Sequence, residues 1–174
     1  MINEKKIDYQ CNICGNFCQN LLSNLEREIP SCPVCGSTVR MRSIIHILST
    51  ELFGKSVILP EFLENQNIIG IGMSDWIGYA IPLAKKLAYT NTFYHKEPKL
   101  DIKLIDDSCE NKYDFIISSD VFEHIEPQIS TAVENLFKLL KYGGFTVFLF
   151  PTYWKENIQS NIFLTYLIIQ FKKY

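Results

Sequence analysis

Apolar residues in this chain fall into two kinds of run. Short blocks rich in isoleucine and phenylalanine are bounded by polar residues or glycine: Asn67–Gly72, Ala88–Tyr94, Leu100–Ile105, Asp114–Ser119 and Phe145–Phe150. Their length suits strands, and the continuously apolar ones suit strands buried on both faces of a parallel sheet. Elsewhere apolar positions recur at helical spacing. Ile129, Ala132, Val133, Leu136, Phe137 and Leu140 fall on one helical face. Pro127 suits the first turn of that helix, Lys138 and Lys141 its last turn, and Gly143-Gly144 its end. A second helix is predicted through Leu83, Ala84, Leu87 and Ala88, with Pro82 in its first turn or at a kink. A third is predicted over Ser43–Phe53, with Ile44, Ile45, Leu48 and Leu52 as its buried stripe and Gly54 and Pro60 closing the region. Strands alternating with helices predict an α/β fold with a mostly parallel sheet. Right-handed crossovers give its five strands the order 3-2-1-4-5.

Cysteine spacing adds a second element. Cys11-Asn-Ile-Cys14 and Cys32-Pro-Val-Cys35 are two Cys-x-x-Cys knuckles separated by seventeen residues, the spacing of a four-thiolate zinc site. Gly15 and Gly36 follow the second cysteine of each pair and let the turns close. Four thiolates complete a tetrahedral shell with no open position, so the ion is structural and activates no water. A ribbon this small buries little surface, and the metal supplies much of its folding free energy. Redox Cys-x-x-Cys motifs stand singly beside a βαβ unit, and disulfides need an oxidising compartment; both fit the paired spacing less well. Cys18 lies inside the ribbon loop and competes as a ligand only by breaking the paired pattern, and Cys109 reads as an ordinary thiol. The expected organisation is a zinc ribbon over residues 1–40, a helical connector over 41–66 and an α/β domain over 67–174. Arg40 and Arg42, at the junction, read as solvated cations before a phosphate site.

The segment YDFIISSDVFEHI, followed by LLKYGG and FTVFLFP, resembles the fourth strand, following helix and fifth strand of class I S-adenosylmethionine-dependent methyltransferases, of the type 11/12 kind. The run Cys35-Gly36-Ser37-Thr38-Val39-Arg40-Met41-Arg42 is similar to the N-terminal zinc ribbons fused to some bacterial members. The resemblance implies a Rossmann-like sheet and a cofactor cleft beyond the strand carboxyl ends. It covers roughly Asn67 to Pro151 and the ribbon. The family sheet has seven strands, and the residues after Phe150 supply one helix or one strand, so the chain reads as truncated at its C-terminus, with the final strands missing. Tyr153 and Trp154 then cover the core, and the exposed edge of strand five becomes a surface for homo-oligomers.

What the resemblance implies for site residues is mixed. Gly72 stands where the first loop glycine falls, and Gly70 occupies a position that is often acidic; Met73, Ser74, Asp75 and Trp76 replace the usual small residues. Gly70-x-Gly72-x-x-Asp75 also lacks the third glycine of a nicotinamide fingerprint, which disfavours a dehydrogenase. Asp75 is assigned either to the cofactor ammonium or to capping the next helix. No acid ends strand two, so Thr92, His95 or the more distant Glu97 would meet the ribose. Asp101 and Ile102, thirteen residues before Asp114, would read the adenine through a carboxylate and a backbone N–H. Asp120 and His124 lie beyond strand four, and His124 would be the base if the acceptor is a hydroxyl.

Composition narrows partners. The 174 residues carry a formal charge of −2, so no basic field draws the chain to nucleic acid. No run reaches the ~20 apolar residues that cross a bilayer. The N-terminus lacks the apolar core of a signal peptide, which predicts a cytoplasmic protein with reduced cysteines. The expected cofactors are S-adenosylmethionine and a structural zinc, and the expected acceptor is a sugar or small metabolite. The competing reading is a non-catalytic ribbon module carried on a degenerate methyltransferase scaffold.

Overall fold

The computed structural model describes residues 5–125, 127, 129–149 and 166–170, the last segment by its backbone. These residues form two compact units that part between Leu63 and Glu64.

The first unit opens with an antiparallel hairpin, β1 (Lys6–Gln10) against β2 (Phe17–Leu21), with Tyr9 opposite Cys18. The first cysteine knuckle is the hairpin's turn. Helix α1 (Val39–Phe53) follows the second knuckle and starts four residues before the predicted Ser43. Thr38 explains the earlier start: its Oγ1 accepts the Met41 N–H at 3.4 Å, capping the first turn. Gly54, at φ 69°, closes the helix in the left-handed conformation. Ile44, Ile45, Ile47 and Leu48 are buried; Ile47 joins the stripe in place of Leu52, which is half-buried. Phe53 and Phe62 meet edge to face at 5.0 Å.

The second unit is a five-stranded sheet. Strands β3 (Asn65–Met73), β4 (Leu87–Thr92), β5 (Tyr113–Ser119) and β6 (Leu140–Leu149) run parallel, and β7 (Tyr166–Gln170) is antiparallel to β6. Their spatial order is β4-β3-β5-β6-β7. Helix α2 (Ile77–Lys86) connects β3 to β4, and α3 (Ile129–Leu139) connects β5 to β6. Ala132, Leu136 and Leu139 of α3 share one apolar cluster with Ile71, Met73, Ile116 and Phe148 of the sheet. Tyr89, Phe115 and Phe145, from three strands, stack in a row with centroids 6.0 and 6.2 Å apart.

Four expectations need correction. Leu100–Ile105 is not a strand; beyond a single bridge between Phe93 and Lys99, the Asp101 and Asp106 carboxylates accept the N–H groups of Lys103 (3.0 Å) and Ser108 (2.8 Å). Local side-chain acceptors hold the segment in turns that compete with a ladder. Leu87 and Ala88 belong to β4 rather than to the helix, and of the two places read for Pro82 the first turn is excluded, since the proline lies inside α2. Gly143-Gly144 does not end α3: the helix passes directly into β6, and both glycines sit where the β5–β6 register jumps from Tyr113↔Leu140 to Phe115↔Phe145. The edge of β6 is not open, because β7 pairs with it from Phe145 to Leu149. Tyr153 and Trp154 lie outside the described residues. Among the described residues no helix is long and apolar enough to cross a membrane.

Candidate metal centre and cofactor cleft

The two knuckles fold alike. Gly15 N–H donates to Cys11 O at 2.8 Å and Gly36 N–H to Cys32 O at 2.9 Å, with the glycines at φ 80° and 73°. The Sγ atoms of Cys11, Cys14, Cys32 and Cys35 all lie within 4.8 Å of one another. Cys11–Cys35 and Cys14–Cys32 are 3.7 and 3.6 Å apart. A tetrahedron with Zn–S bonds of about 2.3 Å has edges of about 3.8 Å, so the sulfur spacing suits a tetrahedral ion of that size. Burial opposes ionisation of Cys32, but the N–H groups of Cys35 and Val34 together with the Cys35 and Cys14 thiols bring it down to about 6. Burial pushes Cys35 up to about 12 against hydrogen bonds with Ser37, with neighbouring sulfurs adding to the rise. Such a crowd of thiols ionises fully only when a cation neutralises it.

Of the two arginines that sequence left in solvent, Arg42 braces this centre. Arg42 donates to Ser37 O at 2.8 Å and Ser31 Oγ at 2.7 Å, and its guanidinium lies 4.8 Å from the centre of the Tyr9 ring. Arg40 pairs with Glu28 at 2.8 Å.

In the second unit, a cavity of about 450 Å³ opens at the carboxyl ends of β3, β4 and β5. Of the residues singled out from sequence, Thr92, His95, Asp101, Ile102, Asp120 and His124 line it. Met73, Ser74 and Lys103 line it as well. Thr92 is a prop: its hydroxyl donates to Gly72 O at 2.7 Å. Ser74 and Asp120, at φ 60° and 54°, hold left-handed conformations that side chains usually avoid. Ser74 N–H donates to Thr92 O at 2.7 Å, and Asp120 N–H to Leu149 O at 3.0 Å, so neighbouring strands enforce both.

Gly70, Gly72, Asp75 and Glu97 do not line the cavity. A Cβ at Gly70 would lie 2.1 Å from Phe115 Cζ, which is why no acidic residue fits there. A Cβ at Gly72 would lie 1.9 Å from Tyr89 Oη. The N-cap of α2 is Trp76, and Asp75 is not among the residues lining the cavity. Its carboxylate is buried beneath Gly72 and accepts the Tyr89 hydroxyl proton. Burial and the Asp75 charge raise the Tyr89 pKa well above its ordinary value. Glu97 accepts the Lys99 N–H at 3.0 Å and is committed to its own turn.

Two positioning residues escaped the sequence reading. Asn91 accepts the Asp75 N–H and donates to Asp75 O, each at 2.9 Å, and so fixes the loop after β3. Asn135 is buried on α3 and donates to Ile102 O at 2.9 Å, holding the cleft segment 101–103. A polar residue on the apolar face of the α3 pattern was the available signal for Asn135; nothing in the sequence marks Asn91.

No family model matches this sequence, and no curated protein matches it. Several solved structures share part of its shape. A Methanococcus maripaludis protein assigned as an S-adenosyl-L-methionine-dependent methyltransferase is 18% identical at a TM-score of 0.38, over 62% of this chain and 56% of that one. The 1,6-didemethyltoxoflavin-N1-methyltransferase of Burkholderia thailandensis, solved with S-adenosylhomocysteine, is 15% identical at 0.45, over 63% and 51%. A SAM-dependent methyltransferase of Aquifex aeolicus is 13% identical at 0.41, over 72% and 80%. The chain thus spans about half the length of the first two. Its own strand order defines it as an α/β protein with a parallel sheet and one antiparallel edge strand.

Proposed function

We propose that the second unit binds S-adenosylmethionine and directs its methyl group to a small acceptor, a sugar or metabolite, while the first unit holds a structural zinc. The observation that carries this is the cleft beyond β3, β4 and β5, lined by Asp101, Ile102, Asp120 and His124. Open α/β sheets bind ligands at that end. Asp101 and the Ile102 backbone N–H are assigned to the adenine, with Ile102 against its face. His95 is the cleft residue nearest the ribose role, because Thr92 and Glu97 are committed elsewhere. Asp120 is assigned to the cofactor's polar portion. Bound cofactor supplies an electrophilic methyl on sulfur, and the protein's task is to hold the acceptor in line and exclude water. Where the acceptor is a hydroxyl, His124 takes its proton at an imidazole nitrogen. Cys11, Cys14, Cys32 and Cys35 hold the zinc, and thiols kept reduced for that purpose suit a cytoplasmic setting.

Calorimetric titration of zinc-loaded protein with S-adenosylmethionine and S-adenosylhomocysteine tests the cleft. Binding that Asp101→Ala abolishes is expected. A folded protein that binds neither ligand at millimolar concentration overturns the enzyme reading.

A further inference from the structure

Five cysteines, not four, meet in the first unit. Cys18 sits on β2 with its side chain buried, and its Sγ lies 3.7 Å from Cys32 Sγ. That separation matches the spacing within the four-cysteine group itself, at 3.6 and 3.7 Å. Yet Cys18 is not one of the four sulfurs that lie mutually within 4.8 Å. It touches the tetrahedron at one corner only. We propose that Cys18 and Cys32 form an intramolecular disulfide on exposure to a hydroperoxide, and that this bridge expels the metal ion. The inference rests on reading the four-cysteine group as a metal centre.

The chemistry closes without further reagents. The Cys32 thiolate attacks one peroxide oxygen; the O–O bond breaks, Cys32 becomes a sulfenic acid and hydroxide leaves. The Cys18 thiol then attacks the Cys32 sulfur; an S–S bond forms, the S–OH bond breaks, and the departing hydroxide takes the thiol proton as water. Starting from one thiolate and one thiol, the pair loses two electrons in total, and hydrogen peroxide is reduced to one hydroxide and one water. The ion keeps three thiolates and loses one bond of its closed shell, which weakens the hold of the site on it.

Coordination, rather than distance, favours Cys18 over a bridge between two ligands. Joining two ligands strips both from the ion at once, whereas Cys18 is not committed to the ion and displaces Cys32 alone. Burial also selects the oxidant. Cys18 and Cys32 are only 6% and 3% exposed, which admits a small peroxide and excludes a bulky disulfide such as oxidised glutathione.

The test treats zinc-loaded full-length protein with hydrogen peroxide or oxidised glutathione. Zinc release is followed with a chromogenic indicator, and bridges are mapped by peptide mass spectrometry after alkylation. Peroxide is expected to release zinc together with a Cys18–Cys32 bridge, reversibly on reduction with added zinc, while oxidised glutathione releases little. Cys18→Ser is expected to slow release several-fold; Cys18→Ala serves if serine disturbs this buried position, and bridge mapping in the unaltered protein decides the matter if neither variant folds. Zinc lost with bridges among Cys11, Cys14, Cys32 and Cys35 alone, or at an unchanged rate without Cys18, overturns the proposal. A protein that holds no zinc before oxidation overturns the metal centre itself, and the release step falls with it.

Discussion

Gly70 and Gly72 lack side chains because neighbouring strands occupy their space. Phe115 closes over Gly70, and the Tyr89–Asp75 pair closes over Gly72. Gly70→Ala therefore overpacks the aromatic row and is expected to cost about 1–3 kcal/mol in urea denaturation, with partial recovery in combination with Phe115→Leu. Tyr89→Phe leaves a buried carboxylate without that donor and is expected to cost about 1–3 kcal/mol at neutral pH. It also changes the alkaline limb. The folded state holds the Tyr89 proton above its ordinary pKa, so that contribution is intact below about pH 10 and fades as pH rises beyond it, when the unfolded chain ionises first. Denaturation series above and below that pH are expected to show a steeper alkaline loss in the unaltered protein than in Tyr89→Phe.

Individual elements depend on contacts that sequence periodicity does not carry. Asp114 Oδ2 accepts the Ile69 N–H at 2.7 Å and the Lys141 ammonium at 2.8 Å. Ile69 follows the register shift in β3, and Lys141 lies inside the shift in β6. One carboxylate on β5 thus ties both irregular strand starts. Asp114→Ala is expected to cost about 1–3 kcal/mol because a backbone donor loses its acceptor. Lys141→Met is expected to cost about 0–1 kcal/mol, since that ion pair is about one-third exposed on each side. A double-mutant cycle read by urea denaturation separates the two. Asp114 was legible in the sequence as an acid preceding a strand, but not as this anchor. The buried strands were legible because isoleucine and phenylalanine runs such as Asp114–Ser119 admit few other structures. Leu100–Ile105 is at least as apolar and still fails as a strand, because Asp101 and Asp106 offer its backbone a local alternative. Register shifts leave no composition signal, so the double glycine at 143–144 read as a helix stop. Asp101, Ile102, Asp120 and His124 line the cleft and were singled out through the family resemblance; the Asp75 contact was not legible, because its partner is a tyrosine two elements away.

For the molecule as a whole, two stabilising devices serve two units. The hairpin and knuckles of the first unit lean on the thiol cluster, whereas the second rests on its sheet and apolar core. Chelation is expected to strip amide-exchange protection from Lys6–Gln10 and Phe17–Leu21 and leave that of Tyr113–Ser119 in place. Hydrogen-exchange mass spectrometry with and without a zinc chelator checks this, and equal loss in both segments would contradict it. The strand irregularities have a further consequence for anyone handling this protein. Tyr142 is exposed, and Gly143 beside it holds a left-handed φ of 77° that favours keeping the glycine, so the Tyr142 side is the one to use. This kink lies at the start of β6, while Asp120, on the rim of the cleft, is held by Leu149 at the strand's far end. The β5–β6 pairing is already back in step from Phe115↔Phe145 onward, so chain added at 142–143 would be absorbed before it reached the ligand end. That makes the kink a natural attachment point for a fluorophore or an affinity tag.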